Sequence, residues 1–319
     1  MNVEYRHPDE NDAEDIARIV NLSGRELKHH TDTTADKIRT WTFEDKDYDP
    51  KGHLLGFADG VAVAYAGAII SKANTDAASN HAYMDISVLP EWRGKGIEEH
   101  FLGFVSGYLR SMDVALMRLW ASREFAWKIY IATKTGMTDV RHSFMMVHSQ
   151  EERPVESGIP EGYTLHHTMM VDASDEELKD LMNLLNDVFS ENWGFIAQEF
   201  DDFTKDRDEE RRTGNTKSRL AFARVGEKTV GACIGIINNN YNQQHDAKAG
   251  WSSALGVVKA HRRYGLGRAL LADSMSWLWD RGMDTLYLGV DAENEKALKL
   301  YSSLSYTVEQ EAIVYELKL

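Results

Sequence analysis

The sequence predicts an α/β (α+β) protein in which one domain is repeated in tandem. Three observations carry this. The chain has 319 residues, and at about 150 residues per domain that length suits two. A segment with Arg93 and Gly96 recurs with Arg262 and Gly265 at an offset of 169, and Ala126 and Tyr130 recur as Ala297 and Tyr301 at an offset of 171. A single long repeat means two copies of a domain, not a solenoid. Between the copies, residues 151–162 hold two of the five prolines with charge and glycine but no apolar periodicity, the composition of a linker. The expected division is therefore a domain over 1–150, a linker over 151–161 and a domain over 162–319.

Each copy is expected to open with a helix, over 12–22 and 175–189. In the second, Leu178, Leu181, Met182 and Leu185 recur at spacings of three and four and share one face. A charged, variable stretch follows, including 206–212, which reads as a solvated face. Next comes a hairpin. In the first copy 54–58 turns through Asp59-Gly60 into 61–71; in the second 220–225 turns through Gly226-Glu227-Lys228 into 229–238. A further strand, 82–89 or 251–258, runs into the glycine segment and then a helix. In the second copy that helix carries Leu271, Met275 and Leu278 on one face. A strand over 286–290, a helix over 295–304 and a terminal strand over 307–317 complete it.

Composition narrows the function classes. The hydrophobic set is 43% and charged residues are 27%, enough for cores of ordinary size. Fifty-one Asp and Glu against 36 Lys and Arg leave a net charge of −15. Phosphate contacts need a basic face, so a nucleic-acid partner is not expected. The acidity fits solubility better than it identifies a cationic substrate. The single cysteine, Cys233, sits in an apolar run and reads as a small core residue. The first residues lack the charged-then-apolar pattern of a signal peptide, and the apolar run 60–70 is too short to span a bilayer. A cytoplasmic location without a membrane partner is expected. The oligomeric state is not legible.

One motif carries chemistry. A strand, then Arg-x-x-Gly-x-Gly, then a helix makes an anion cradle: backbone N–H groups converge and the helix adds its positive end. In the second copy the elements are Arg262, Gly265 and Gly267, and from 261 to 272 there are three arginines and no acid. A glycine doublet by itself fits a tight turn equally well. A second motif follows a strand: Asn294, Ala297, Tyr301 and Ser305-Tyr306. It resembles the Asn-x-x-Ala-x-x-x-Tyr-x-x-x-Gly-Phe pattern of the GNAT acetyltransferase superfamily, with Ser305-Tyr306 in place of Gly-Phe. Leu255-Gly256-Val257 followed by Arg262 to Gly267 resembles that superfamily's acetyl-CoA loop at the right spacing. Two such domains in tandem resemble its mycothiol synthase-like subgroup.

The resemblance implies two GNAT domains, each a mixed, mostly antiparallel twisted sheet flanked by helices. It implies an N-acetyltransferase that uses acetyl-CoA as co-substrate, without a metal, and acetylates the amine of a small molecule in the second domain. Backbone groups of Leu255 and Val257 would pair with the pantetheine arm and polarise the acetyl carbonyl. Arg262, Arg263, Tyr264, Gly265, Leu266, Gly267 and Arg268 would line the pyrophosphate. Asn294 would contact the arm, and Tyr301 would protonate the departing thiolate. A helix-face core aromatic is the other reading of Tyr301. Trp193 and Phe195 fall in a region that borders the acceptor in this superfamily; buried anchoring explains them equally well.

The general base is open. Many members place a glutamate on the strand before the loop, but 248–258 has no carboxylate. A water chain, His245, Asp246 or Asp291 remains. This gap favours the alternative, a non-catalytic acyl-CoA-binding or regulatory module. The first copy departs further. Glu98 stands where the pattern needs Gly or Ala, Arg123 stands at the place of Asn294, and two extra residues separate Tyr130 from Gly136-Met137. Asp85 offers a carboxylate at a plausible base position, yet the copy is expected to be a degenerate domain that supports the other. The adjacent pairs His29-His30 and His166-His167 cannot converge on one metal, so no zinc site is expected.

Overall fold

A computed structural model describes residues 3–70, 80–154 and 157–319. The expected strand end at Ser71 and linker residues 155–156 lie outside the described residues. The strands are β1 (Val3–Arg6), β2 (His53–Ala58), β3 (Val61–Ile69), β4 (His81–Val88), β5 (Leu116–Ser122) and β6 (Thr138–Ser149), then β7 (Thr164–Met169), β8 (Thr216–Val225), β9 (Lys228–Asn238), β10 (Ala249–Val257), β11 (Thr285–Asp291) and β12 (Thr307–Lys318). The helices are α1 (Ala13–Gly24), α2 (Ala35–Ile38), α3 (Ile97–Ser111), α4 (Ala126–Lys134), α5 (Asp175–Phe189), α6 (Phe200–Thr213), α7 (Asn239–His245), α8 (Leu266–Asp280) and α9 (Glu295–Ser302).

They form two units: Met1–Ser143 with Gln310–Leu319, and Phe144–Glu309. Within the first, β1, β2, β3 and β4 pair antiparallel in order, β4 pairs parallel with β5, and β5 pairs antiparallel with β12, from Leu116↔Lys318 to Ser122↔Ala312. The second repeats the plan: β7, β8, β9 and β10 are antiparallel neighbours and β10 is parallel to β11. Each unit is thus a mixed, mostly antiparallel sheet with helices. The division falls between Ser143 and Phe144, residues 151–161 lie inside the second unit, and the last ten residues go with the first.

Local chemistry explains the elements. Asp59 and Gly60 both take positive φ, +50° and +79°, the two-residue turn that matches strand twist in a hairpin. Ser174 and Glu177 form a capping box that starts α5. Along β9, Ala232 and Ile234 belong to the cluster with α5, while Cys233 lies with Leu266 and Leu270 of α8. Alternate residues of a strand point to opposite faces, so α5 and α8 cover opposite sides of the sheet.

Three features go beyond the expected elements. A short strand, β1 or β7, precedes the opening helix of each copy; both are short and half-exposed, so their pattern is faint. The charged stretch 206–212 lies within α6, which buries only Phe203 and Glu210 and therefore shows no apolar stripe. Short helices α2 and α7 were not expected. Among the described residues no helix is long and apolar enough to cross a membrane.

Candidate active site

The second unit offers an opening in its sheet. β10 and β11 pair only along Ala249–Trp251 and Thr285–Tyr287, although β10 continues to Val257 and β11 to Asp291. Beyond those rungs the facing backbone groups have no ladder partner, so they are available to an extended ligand. The β9–β10 register shifts between Ser253 and Gly256, with Ala254 at φ +49°. A bulge of this kind bends the strand and re-aims its groups. Leu255 and Val257, two of the expected ligand contacts, lie in and just after it.

The loop that follows turns its backbone through left-handed positions into the start of α8. Arg263 has φ +74° and Gly265 has φ +90°. Gly265 caps α8 without a side-chain hydrogen bond, and the first turn of α8 has no acid. Its leading N–H groups are therefore free for an oxyanion. A Cβ on Gly267 would meet only Leu300, at an ordinary 3.5 Å, so the protein's own packing does not demand glycine there.

The arginines divide their work. Arg262 donates from Nε to the Val257 carbonyl at 2.8 Å and braces the strand end. Arg268 donates to Ser303 Oγ at 2.5 Å and ties α8 to the end of α9. Arg263 is exposed and has no internal partner among the described residues. Tyr264 is 62% exposed, and Leu266 is buried in the core under the loop.

Asn294 caps α9, accepting from the Ala297 N–H at 3.1 Å. This is a structural role besides the expected ligand contact. Tyr301, on α9, is 8% exposed. Burial, with the Cys233 thiol as the lesser cause, pushes its phenol up to about 12, so it stays protonated at neutral pH. It is a core aromatic that keeps its proton at neutral pH. Cys233 is itself buried, and its thiol is pushed up to about 12 by burial.

The base candidates have local roles. His245 lies against Tyr241 with ring centroids 4.3 Å apart. Asp246 ends α7 at φ +48°. Asp291 accepts the Glu293 N–H at 2.8 Å. Trp193 and Phe195 are half-buried and stand outside the hydrophobic clusters.

The first unit repeats the opening: β4 and β5 pair only along His81–Met84 and Leu116–Leu119. Its loop repeats the backbone, with Gly94 at φ +71° and Gly96 at +89°. The filling differs. Glu98 is 1% exposed and accepts the Gly94 N–H at 2.8 Å. Arg93 is committed through all three nitrogens, to Val88 O, to the Glu26 carboxylate and to Ser23 O. Asp85 pairs with Lys128 at 3.1 Å, and that ammonium holds its carboxyl below the usual range. Arg123 pairs with Glu311.

Sequence reasoning passed over a buried group of hydroxyls on the α8 side of the second unit. Tyr306 is 2% exposed, and beneath α8 the Ser252 and Ser274 hydroxyls are bonded at 2.9 Å. The departure from Gly-Phe at 305–306 was the available signal.

The sequence pattern of the Acetyltransferase (GNAT) family matches residues 16–130 and 178–306. The chain is 22% identical over 278 residues to a mycothiol acetyltransferase of Catenulispora acidiphila, covering 87% of this chain and 82% of that one. It is 26% identical to one of Kocuria rhizophila, covering 75% and 77%. A tandem GNAT protein from the clavulanic acid biosynthesis pathway superposes with a TM-score of 0.73 at 12% identity, covering 99% and 98%. A GCN5-related N-acetyltransferase from Sphaerobacter thermophilus gives 0.69 at 20% identity, covering 99% and 95%.

Proposed function

Because the chain belongs to the GNAT acetyltransferase family, we propose that it moves the acetyl group of acetyl-CoA to the amine of a small molecule. The transfer occurs by direct attack in a ternary complex, in the second unit. The observation that carries this reading is its loop: an acid-free helix start beside Arg263, which has no internal partner among the described residues. The relatives named mycothiol acetyltransferase support a small-molecule acceptor.

The chain's groups then act as follows. The loop and the start of α8 hold the pyrophosphate. Unpaired backbone of β10 near Leu255 and Val257 aligns the arm and donates to the acetyl oxygen as it gains charge. Asn294 adds a contact to the arm. The amine nitrogen bonds to the carbonyl carbon, the carbon–sulfur bond breaks, and the Tyr301 proton passes to the sulfur. The amine's surplus proton leaves through water or a neighbouring base, since β10 supplies no carboxylate. A thioester is already activated, so positioning accounts for much of the rate.

Acetyl-CoA and an amine panel, with product read by mass, test this. Acetylated amine is expected. Binding of acetyl-CoA without turnover on any amine would replace the reading with a non-catalytic acyl-CoA-binding module.

A further inference from the structure

The pair after α9 is Ser305-Tyr306, and the equivalent pair after α4 is Gly136-Met137. The first residue of each takes a left-handed backbone, φ +63° at Ser305 and +79° at Gly136. The second plugs a core: Met137 is 4% exposed and Tyr306 is 2% exposed. Methionine fills such a place without polar atoms. Tyrosine brings a hydroxyl into it, and the Tyr306 hydroxyl has no hydrogen-bond partner of good geometry among the described residues. A buried, unpaired hydroxyl opposes folding, so packing alone does not account for tyrosine here.

Its neighbours suggest what does. The Tyr306 ring lies 6.3 Å from the Tyr301 ring, tilted by 58°. On another side it meets His148 of β6, with ring centroids 5.3 Å apart. The Ser252 hydroxyl, bonded to Ser274, is also close. The two phenols therefore share one buried corner. The unit whose loop is filled by Glu98 has no such corner: its Tyr130 is 57% exposed.

We propose that Tyr306 is a positioning residue for acetyl transfer, its hydroxyl donating to the Tyr301 oxygen as Tyr301 gives up its proton. The inference rests on the proposed role of Tyr301 as the acid. In that step the electron pair of the carbon–sulfur bond goes to sulfur, and the Tyr301 proton follows it. The Tyr301 oxygen is left negative inside the protein until it regains a proton from water. Tyr306 keeps its own proton throughout. A hydrogen bond made to that oxygen as charge develops favours the transition state over the ground state.

The test is a cycle of Tyr301→Phe, Tyr306→Phe and the double variant, in the full chain, with acetyl-CoA and the best amine of the panel. Tyr306→Phe keeps the ring and is expected to lower kcat roughly ten- to a hundredfold, with both KM values near wild type and a melting temperature at or above it, since an unpaired buried hydroxyl is lost. In the Tyr301→Phe background it is expected to change nothing further. A slow Tyr301→Phe enzyme with a wild-type Tyr306→Phe enzyme would overturn this proposal alone, as would equal losses in both backgrounds. A wild-type rate for Tyr301→Phe would remove Tyr301 as the acid and this proposal with it.

Discussion

In the first unit the left-handed positions of the glycine loop are Gly94 and Gly96; in the second they are Arg263 and Gly265. The backbone is the same, and in both an arginine Nε reaches back to the strand end, Arg93 to Val88 and Arg262 to Val257. What differs is the charge left over. The first loop is satisfied internally, by Glu98 on the Gly94 N–H and by Glu26 on Arg93. Among the described residues, the second leaves N–H groups and one guanidinium without an internal partner. A loop's backbone thus says little about whether it binds an anion; the side chains that compete for its donors decide.

The sharpest way to break that comparison is to give the second loop the acid of the first. Gly267→Glu places a carboxylate at the start of α8, where Glu98 stands in α3. The space beside it is open, with Leu300 at 3.5 Å from a new Cβ, so the variant is expected to fold. Calorimetry is expected to show one acetyl-CoA site per wild-type chain and none in the variant. Retained affinity would mean that the nucleotide lies elsewhere.

A second contrast lies on the following helix, where Tyr301 is 8% and Tyr130 is 57% exposed. Tyr301→Phe is expected to lower kcat by about 10²–10⁴-fold, the usual worth of general-acid assistance, while acetyl-CoA affinity stays close to wild type. The direction of the pKa shift adds a pH test. Burial raises the phenol to about 12, so the acid form persists as pH rises. The Tyr301-dependent part of kcat is then expected to be flat from pH 7 to about 10. A fall within that range would mean that the phenol ionises early and is not the acid.

Much of this was legible in the sequence, for identifiable reasons. The duplicated arginine and glycines revealed the tandem plan, and apolar spacing at Leu178, Leu181 and Leu185 located α5. The loop was visible because its left-handed turns favour glycine. Other features were not, because no local pattern encodes them. The pairing of β12 with β5 joins residues far apart in the chain. α6 is helical with almost no apolar face. Arg262 and Arg268 looked like equal partners of Arg263, and only coordinates reveal that the Val257 carbonyl and Ser303 occupy them. Glu98 was visible as an intruder, but not that it bonds the loop itself.

Arg263 offers a test in which stability and binding move in opposite directions. A non-glycine residue at φ +74° is strained by about 1–2 kcal/mol, and Gly94 takes the equivalent position without strain. Arg263→Gly is therefore expected to raise the melting temperature. It also removes the exposed guanidinium of the loop, so acetyl-CoA affinity is expected to fall about tenfold. If both quantities rise, or both fall, the arginine is not kept there for the ligand.

The smallest effect is expected from opening the first loop. Glu98→Gly frees the Gly94 N–H and removes a buried carboxylate, one oxygen of which has no partner. If that side chain were all that separates the units, the variant would gain a second acetyl-CoA site. The surroundings argue otherwise. Arg93 stays committed to Glu26 and Ser23, and Lys95 lies over the Trp92 ring at 4.5 Å. Glu99 remains in the first turn, bonded to Lys134 at 2.6 Å. Among the described residues of the first unit, no uncommitted cation takes the place that Arg263 holds in the second. Calorimetry is therefore expected to show one site still, and turnover is expected to stay within about twofold of wild type, since 1.4 kcal/mol would be needed for a tenfold change. A second site in Glu98→Gly would show that one carboxylate, rather than the whole charge arrangement, divides the two loops.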